Sequence, residues 1–375
     1  MAPPFRAHIV ILLAALLASL SACSDSSPIV IGFSGQLTGK LASLGVPARN
    51  GAQLAIEIIN RQGGVNGRSL QLLARDDGNT PEKALMVDRE LVGAGAVAVI
   101  GHITGSQTKA VFPYFEENGI VLIAPLDGPP ELTGKKDQFF QISSDQNVQA
   151  GELANYANMA LNIKTVVIVT ETDYADYTLP LAKTFARNFN QVGGKVLTSV
   201  TYSTKSSMDW ETVIQRLIVL QPQAVLLFCP AYDAVSLIQT LNTNRLDMQV
   251  FIGSWPYSEI LLRWGGPAVE GVVLALDYAE DNPNPEFIKF REAYRHRFGE
   301  NPNHAAGFGY EAVLALAAAL QTTKGRAEGL ADALSNGRSV PGVVSKFTFN
   351  EYGDAKRNMF IITVLDGKFS TINVR

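Results

Sequence analysis

The sequence predicts an α/β protein made of two doubly wound, parallel-sheet lobes. Apolar segments of strand length alternate with helical segments along most of the 375 residues. The alternation starts again near residue 146. A helix that ends at a Gly-Gly pair before a strand occurs in both halves, at Gly63-Gly64 and at Gly193-Gly194. Hydrophobic residues make up 47% of the chain and charged residues 18%, which is enough apolar material for two cores and too much for a disordered chain.

The first half predicts a parallel sheet covered by helices on both faces. Apolar residues at helical spacing, such as Ala52, Ile56 and Ile59, mark helices, and short, mainly apolar runs mark strands. The predicted strands cover residues 29–33, 70–74, 97–100 and 120–123, and the predicted helices cover 52–59, 81–91 and 108–117. Such an alternation places parallel strands between two helical layers.

The second half repeats this pattern. Helices are predicted at residues 148–161, 179–191, 210–217 and 234–244, and strands at 165–169, 195–202, 224–228, 250–252 and 271–276. After a turn at 281–285 come two helices (286–298 and 305–321) and three strands (347–349, 358–365 and 369–374). These last elements are too few for a third domain. We therefore expect them to complete the two lobes, so that the chain crosses between the lobes several times and forms a hinge.

The N-terminus predicts an export signal. Arg6 and His8 precede an apolar run at residues 9–20, which is shorter than the roughly 20 residues that span a bilayer. Residues 20–23 read Leu-Ser-Ala-Cys and resemble the bacterial lipoprotein box. This resemblance predicts that residues 1–22 are a signal peptide, that Cys23 carries a lipid, and that residues 23–28 are a polar tether. The alternative is an ordinary secretory signal with Cys23 merely nearby.

Charge and composition exclude several function classes. The 31 Lys and Arg residues against 35 Asp and Glu residues give a net charge of −4, so no basic surplus points to nucleic acid. Two cysteines cannot form a disulfide framework, and four histidines offer little for a metal site. Cys229 ends an apolar run and is predicted to be a buried structural residue.

Enzyme motifs are tested and rejected. The glycine-containing segment 93–98 follows a predicted helix and precedes a predicted strand. A dinucleotide-binding turn has the reverse order, with the strand before it and the helix after it. Gly35 and Gly39 are one residue too close for a phosphate loop, and Leu41 stands where a Ser or Thr would bind magnesium. His102 at a strand end fits a structural hydrogen-bonding role better than that of a base. We therefore predict a protein without a catalytic site, cofactor or metal.

The carboxyl ends of the predicted strands form the candidate ligand site. In open parallel sheets, ligands lie at these ends, where helix N-termini present free N–H groups. The corresponding residues are 34–36, 101–106 and 124–128 in the first half, and 170–174, 229–232 and 253–255 in the second. Small and hydroxyl residues dominate the first group and aromatic residues the second. Any single Ser or Thr among them also fits as an ordinary helix cap.

Several sequence motifs together resemble the bacterial leucine/isoleucine/valine-binding proteins. They span the chain from about residue 29 to its end. The motifs are Val99-Ile100-Gly101-His102, Glu116 to Ile120 with Ala124-Pro125, Pro130-Glu131-Leu132-Thr133, Ile58-Ile59-Asn60 with Gly63 to Gly67, Asp76-Asp77, and Gly309-Tyr310-Glu311-Ala312.

The resemblance implies a type I periplasmic binding fold, with two lobes, three hinge strands and a ligand enclosed between the lobes. It places the crossovers near residues 143–146, 276–278 and 355–358. The N-terminal lobe would comprise 29–145 and 278–355, and the C-terminal lobe 146–277 and 356–375. The implied partner is an ABC importer with two membrane subunits and two ATPases.

The resemblance also implies the site residues. Thr104, Gly105 and Ser106 would hold the polar head of the ligand, with the loop of Leu126, Asp127 and Gly128 beside them. The apolar side would be lined by Tyr174, Tyr232, Trp255 and Tyr278, each of which also fits a surface or core position. Gly105 stands where a serine is usual, Gly128 where a threonine is usual, and Trp255 where an acidic residue neutralises the ammonium of an amino acid. An ordinary α-amino acid is therefore disfavoured unless Asp127 supplies the charge.

The predicted function is that of a monomeric, lipid-anchored solute-binding component of an ABC importer. It would capture a small carboxylate- or amide-bearing solute by hinge closure. Its contact with the membrane would be through the lipid alone. The alternative is a ligand-sensing receptor domain of the same fold without a transport role, and an enzyme is the third hypothesis.

Overall fold

Two separate large β-sheets organise the chain. The computed structural model describes residues 27–39, 41–126, 128–129, 131–204 and 210–372. The predicted signal peptide, Cys23, most of the tether and Asp127 lie outside these residues. Within the described residues, no helix has both the length and the apolar character needed to cross a membrane.

The first sheet is parallel and has the strand order β2-β1-β3-β4-β5. Its strands are β1 (Ile29–Gly35), β2 (Leu70–Asp76), β3 (Ala96–Ile100), β4 (Val121–Ala124) and β5 (Phe139–Gln141), and its helices are α1 (Ala42–Arg61), α2 (Pro81–Gly93) and α3 (Gly105–Asn118). The alternation predicted from the sequence is confirmed here. The three-residue strand β5 was not predicted, because it is too short to show a period.

The second sheet begins after α4 (Gln146–Asn155), which continues into a π-helical turn at Tyr156–Ala160. The parallel strands are β6 (Thr165–Glu171), β7 (Lys195–Tyr202), β8 (Ala224–Phe228), β9 (Gln249–Ile252) and β10 (Val273–Leu276), and the helices are α5 (Ala175–Gln191), α6 (Trp210–Leu220), α7 (Ala231–Thr243) and α8 (Glu259–Gly265). The single predicted helix at 148–161 is thus α-helical only to Asn155. The short helix α8 was missed.

The chain then returns to pack beside the first sheet, and its two short strands there form a separate antiparallel pair. The returning elements are α9 (Pro285–Phe298), α10 (His304–Thr323), α11 (Leu330–Leu334), β11 (Thr348–Phe349) and β12 (Ala355–Lys356). Helix α10 packs along α1, and two glycines allow the close approach. A Cβ atom at Gly51 would lie 1.9 Å from the carbonyl oxygen of Ala306, and one at Gly309 would lie 2.1 Å from that of Ala48. Side chains at these two positions would force the helices apart.

The last two strands complete the second sheet. Strands β13 (Phe360–Leu365) and β14 (Lys368–Ile372) are antiparallel and extend the sheet from β10, giving the order β14-β13-β10-β9-β8-β6-β7. The fold class predicted from the sequence, two doubly wound α/β lobes, is therefore confirmed. The lobe boundaries given above stay a prediction, although the elements pass from one sheet to the other near each predicted crossover.

A buried arginine links the three connecting segments. The guanidinium of Arg357 donates a hydrogen bond of 2.9 Å to the carbonyl of Ile142 in the first segment. Its Nε lies 3.8 Å from Oδ2 of Asp277 in the second segment, and Arg357 itself belongs to the third. The same Asp277 oxygen accepts a hydrogen bond of 2.6 Å from the backbone N–H of Ser144. The point at which the lobes join is therefore fixed by charge as well as by backbone continuity.

Candidate ligand-binding cleft

The strand orders locate one crevice in each sheet. In the first sheet, the chain goes from β1 outward to β2 and then to β3 on the other side of β1, so the connections diverge between β1 and β3. The second sheet has the same arrangement, with divergence between β6 and β8. Such switch points open a crevice at the carboxyl ends of the strands, where ligands of doubly wound proteins bind.

The starts of α3 and α5 lie near each other. Lys109 lies in the second turn of α3 and pairs with Glu131, with Nζ and Oε1 2.5 Å apart. This hydrogen bond to Glu131 raises the pKa of the Lys109 ammonium, and Asp176 in the first turn of α5 adds an attraction from the other sheet. We take the space between these two helix starts as the candidate cleft.

The first wall of the cleft is the N-terminus of α3. Thr104 is its N-cap residue, but no side chain caps the first N–H groups of the helix. The hydroxyls of Thr104 and Ser106 both hydrogen-bond to Oε1 of Gln107 instead, in the case of Ser106 at 2.8 Å. No hydrogen bond within the described residues satisfies the N–H groups of the first turn, so they can serve another acceptor, and the helix dipole makes this position favourable for an anion.

Close packing surrounds the two glycines of this wall. A Cβ atom at Gly105 would come within 3.2 Å of the backbone nitrogen of Pro129. A Cβ atom at Gly128 would lie 2.5 Å from both Oε1 of Gln141 and the ring of Phe139. A threonine at position 128 therefore does not fit this packing, whereas a serine at position 105 would need Pro129 to shift by a few tenths of an ångström. Leu126 is buried in the apolar core and does not face solvent.

Aromatic side chains form the second wall. Trp255 meets Tyr174 and Tyr177 edge to face, with ring centroids 5.0 and 5.6 Å apart. The hydroxyl of Tyr177 lies 3.1 Å from Oγ of Ser254, which fixes this ring in place. Tyr174 is 41% exposed, so it is open to the cleft. The structure thus brings Tyr174 and Trp255 together, as a binding wall requires.

A buried carboxylate supports this second wall. Both oxygens of Glu171 accept hydrogen bonds from backbone N–H groups, from Asp173 at 2.5 Å and from Tyr174 at 3.1 Å. Burial raises the pKa of this carboxyl group, and the two backbone hydrogen bonds oppose the rise. Glu171 therefore shapes the loop that carries Tyr174.

One predicted lining residue lies in the core. Tyr278 is completely buried, donates a hydrogen bond of 3.0 Å to the carbonyl of Pro302, and packs edge to face against Phe287 and Phe308. This ring belongs to the core beneath α9 and α10, so Tyr278 is no longer a candidate ligand contact. Tyr232 lies in the first turn of α7, just after β8, and is 57% exposed, with its ring centroid 6.2 Å from that of Trp264 on α8. It stays a predicted contact.

Buried polar atoms without a hydrogen-bond partner occur at the strand ends on both walls. Oε1 of Gln36, just after β1, and Oγ1 of Thr170, at the end of β6, are two such atoms. Unpaired buried polar atoms are rare, because each costs free energy, and they mark places where a ligand or water supplies a partner. Both residues lie in segments that the strand-end argument selected from the sequence.

Other features of the described residues give no competing site. No group of three or more His, Cys, Asp or Glu residues among them could hold a metal ion. Cys229 is buried, as predicted, and burial raises the pKa of its thiol. A groove of about 650 Å³ lies between β7 and α6, lined by residues such as Leu197 and Val219. It is away from the carboxyl ends of the strands.

Fold and cleft together define a two-lobed solute-binding protein. The chain belongs to the periplasmic binding protein family, whose sequence model matches residues 28–368. The resemblance to the leucine/isoleucine/valine-binding proteins is confirmed. The chain is 26% identical over 356 residues to a Leu/Ile/Val-binding protein of Rhizobium johnstonii, and the match covers 93% of this chain and 95% of that one.

Two solved structures share the fold. The branched-chain amino acid transporter substrate-binding protein LivJ of Streptococcus pneumoniae, solved with isoleucine, has a TM-score of 0.81 at 22% identity, covering 92% of this chain and 99% of that one. An ABC transporter solute-binding protein of R. palustris, solved with benzoate, has a TM-score of 0.78 at 20% identity, covering 92% and 95%. These relatives are named as binding proteins, not enzymes.

Proposed function

We propose that this protein captures a small carboxylic acid without an α-amino group and delivers it to an ABC importer of the branched-chain amino acid class. The observation that carries the proposal is the pairing of two unlike walls across one cleft. One is the uncapped N-terminus of α3 and the other is the aromatic wall of Tyr174 and Trp255. A solute with a charged head and an apolar body matches both walls.

The carboxylate of the ligand would bind at Thr104, Gly105 and Ser106. The N–H groups at the start of α3 supply donors, and the positive end of the helix dipole adds a favourable field. The hydroxyls of Thr104 and Ser106, which donate to Gln107 in this structure, would have to turn to the ligand to donate to it. The solutes in the two related structures, isoleucine and benzoate, both join a carboxylate to an apolar group. This shared chemistry supports a carboxylate site here.

The second wall argues against an ammonium group. By resemblance to the family, Trp255 replaces the acidic residue that neutralises the ammonium, and each oxygen of the buried Glu171 already accepts one backbone N–H. Burying an ammonium without a counter-charge is costly. Stacking on an indole adds about 0.5–1.5 kcal/mol beyond area burial. Acids without the amino group should therefore bind with a more favourable free energy than the corresponding zwitterions.

Capture would proceed by closure about the three connecting segments. A ligand that contacts both walls favours the closed arrangement by the contacts it gains, and an importer can recognise that arrangement. The lipid on Cys23 would keep the protein near the importer after residues 1–22 are removed. The proposed lobes are 29–145 with 278–355 and 146–277 with 356–375.

Calorimetry on matched ligand pairs tests the ligand class. The pairs are leucine with 4-methylpentanoate and phenylalanine with 3-phenylpropanoate, and benzoate is added as a flat acid. We expect each acid to bind more tightly than its amino-acid counterpart, by about tenfold or more, because the amino acid must bury an ammonium without a counter-charge. Tight leucine binding that is lost in Asp127→Ala would contradict the proposal, because Asp127 would then be the counter-charge for the ammonium.

A further inference from the structure

His102 lies completely buried between two carboxylates behind the α3 wall. Its Nδ1 is 2.8 Å from Oδ2 of Asp77, just after β2, and its Nε2 is 3.1 Å from Oδ2 of Asp88 on α2. Both carboxylates are buried as well. Among the described residues, Asp77 and Asp88 are the titratable groups that act on the ring, and the hydroxyl of Thr108 on α3 accepts from the backbone N–H of His102.

Two ionised carboxylates favour a doubly protonated ring. An ionised carboxylate only accepts hydrogen bonds, so when both are ionised each ring nitrogen carries the hydrogen that it donates. Burial lowers the pKa of His102, but its hydrogen bonds to Asp77 and Asp88 more than offset this and raise it to about 9. The imidazolium therefore acts as a charged brace between β2 and α2.

Hydrogen bonds connect this brace to the first wall of the cleft. Oδ1 of Asp77 accepts from the N–H of Asn79 at 2.9 Å, and the side-chain oxygen of Asn79 lies 3.4 Å from the hydroxyl of Thr104. A second route starts at the backbone N–H of His102, which is 3.4 Å from Oγ1 of Thr108. That hydroxyl donates to the carbonyl of Thr104 at 3.2 Å. Both routes end on the N-cap residue of α3.

The brace also reaches the end of β1. The N–H of Asp77 bonds the carbonyl of Gly35, and the neighbouring Asp76 accepts from the N–H of Leu37 and the hydroxyl of Thr38. His102 itself follows β3. The buried imidazolium therefore fixes the carboxyl ends of β1, β2 and β3 relative to each other, and β1 and β3 are the strands that enclose the crevice.

We propose that His102 is a positioning residue for the ligand's carboxylate. It does not contact the ligand, but it fixes the position of Thr104 and the N-terminus of α3, which do. This inference rests on the proposed function, because it assumes that residues 104–106 bind the carboxylate. The imidazolium fixes the direction of the first N–H groups of α3. Without it, residues 101–108 become more mobile in the unliganded protein. Part of the binding free energy must then be spent on ordering this segment, and the affinity falls.

The test compares His102→Gln with His296→Gln in the full mature chain. His296 is an exposed histidine on α9 and serves as the matched control. The probes are benzoate and 4-methylpentanoate by calorimetry, together with amide hydrogen exchange on the unliganded proteins. We expect His102→Gln to weaken binding by about tenfold or more. It should also speed exchange at residues 101–108 and 76–79, with exchange at 165–276 unchanged. His296→Gln should match the wild type.

The outcomes separate the inference from the proposed function. If the wild type binds neither acid, the proposed ligand class fails, and the exchange pattern still decides whether His102 orders residues 101–108. A His102→Gln protein with wild-type affinity and exchange, but with a lower melting temperature, would show a purely structural histidine and overturn the inference.

A second variant covers the case in which His102→Gln does not fold. Asp88→Asn keeps a hydrogen-bond acceptor near Nε2 but removes one of the two charges. We expect the two ring N–H signals of His102 in nitrogen-15 NMR to disappear at lower pH than in the wild type, and the affinity for benzoate to fall over the same lower range. Unchanged affinity across that range would overturn the inference.

Discussion

Arg357 and Glu311 form a completely buried ion pair, with Nη2 and Oε2 2.5 Å apart, where the two sheets are connected. The guanidinium also lies over the rings of Phe308 and Phe347, 4.8 and 5.0 Å from their centroids. Asp277 adds a second carboxylate, so one cation serves two buried anions. Burial raises the pKa of both carboxyl groups, and Arg357 opposes that rise. The hinge therefore depends on the charge of one side chain.

Removing this charge should destabilise the protein strongly. In Arg357→Met, Glu311 and Asp277 lose their shared cation inside the protein. Breaking a buried pair in this way typically costs about 3–5 kcal/mol. The free energy of unfolding from denaturant titration checks the value, and Arg338→Met, at an exposed position, is the control. Equal stabilities of the two variants would show that the buried cluster contributes little.

Glu280 predicts a pH dependence of stability in the connecting segment after β10. Burial, with Glu259 and Asp281 nearby, raises the pKa of Glu280 to about 7. Because the folded state binds this proton more tightly than the unfolded state, the free energy of unfolding should fall as pH rises from about 4.5 to about 7. The contribution of this group is at most about 3 kcal/mol. Denaturant titrations at several pH values measure the slope, which Glu280→Gln should reduce. If the slope in Glu280→Gln equals that of the wild type, the pH dependence comes from other titratable groups.

Gly128 should not tolerate a side chain. A methyl group there would lie 2.5 Å from both the Gln141 amide oxygen and the Phe139 ring, so Gly128→Ala should lower the free energy of unfolding by about 1–3 kcal/mol. Gly93→Ala is the matched control, because Gly93 ends α2 and a Cβ atom there meets nothing within 4 Å. Thermal and denaturant unfolding of the pair provide the measurement. A neutral Gly128→Ala would show that the loop moves easily.

The sequence was sufficient for the alternation of strands and helices and for the positions of the strand ends in the candidate cleft, because both depend on local periodicity. It was insufficient where distant segments decide the environment. Tyr278 follows an apolar strand, and that local pattern fits a cleft wall as well as a core; packing against α9 and α10 makes it core. Arg357 follows Lys356 in a polar stretch and resembles a surface residue, since its partners come from segments far away in the chain. Glu311 occurs in a motif that carried the resemblance, but nothing local indicated that it binds Arg357.

The lipid anchor is tested by Cys23→Ala. If Cys23 carries the lipid, this variant should leave the membrane fraction while its affinity for benzoate stays that of the wild type, because residues 23–28 precede β1 and both walls of the cleft. Cell fractionation and mass spectrometry of the mature N-terminus are the measurements, and Ser24→Ala is the control. A wild-type N-terminus without lipid would contradict the lipoprotein prediction and favour an ordinary secretory signal.

Trp255→Glu should move the ligand preference toward amino acids. The substitution returns a carboxylate to the position where, by resemblance, relatives neutralise an ammonium, and it removes the ring that packs against Tyr174 and Tyr177. We expect leucine to gain and 4-methylpentanoate to lose affinity, each by roughly tenfold, since a paired charge and an aromatic face each contribute on the order of 1 kcal/mol. Calorimetry on both ligands measures the ratio of the two affinities.

Trp255→Phe keeps an aromatic face without a charge and should retain the preference for the acid. Trp264→Phe removes an exposed indole on α8 and should leave both affinities unchanged. If Trp255→Glu and Trp255→Phe weaken both ligands to the same degree, Trp255 supports the cleft by packing and does not select the ligand.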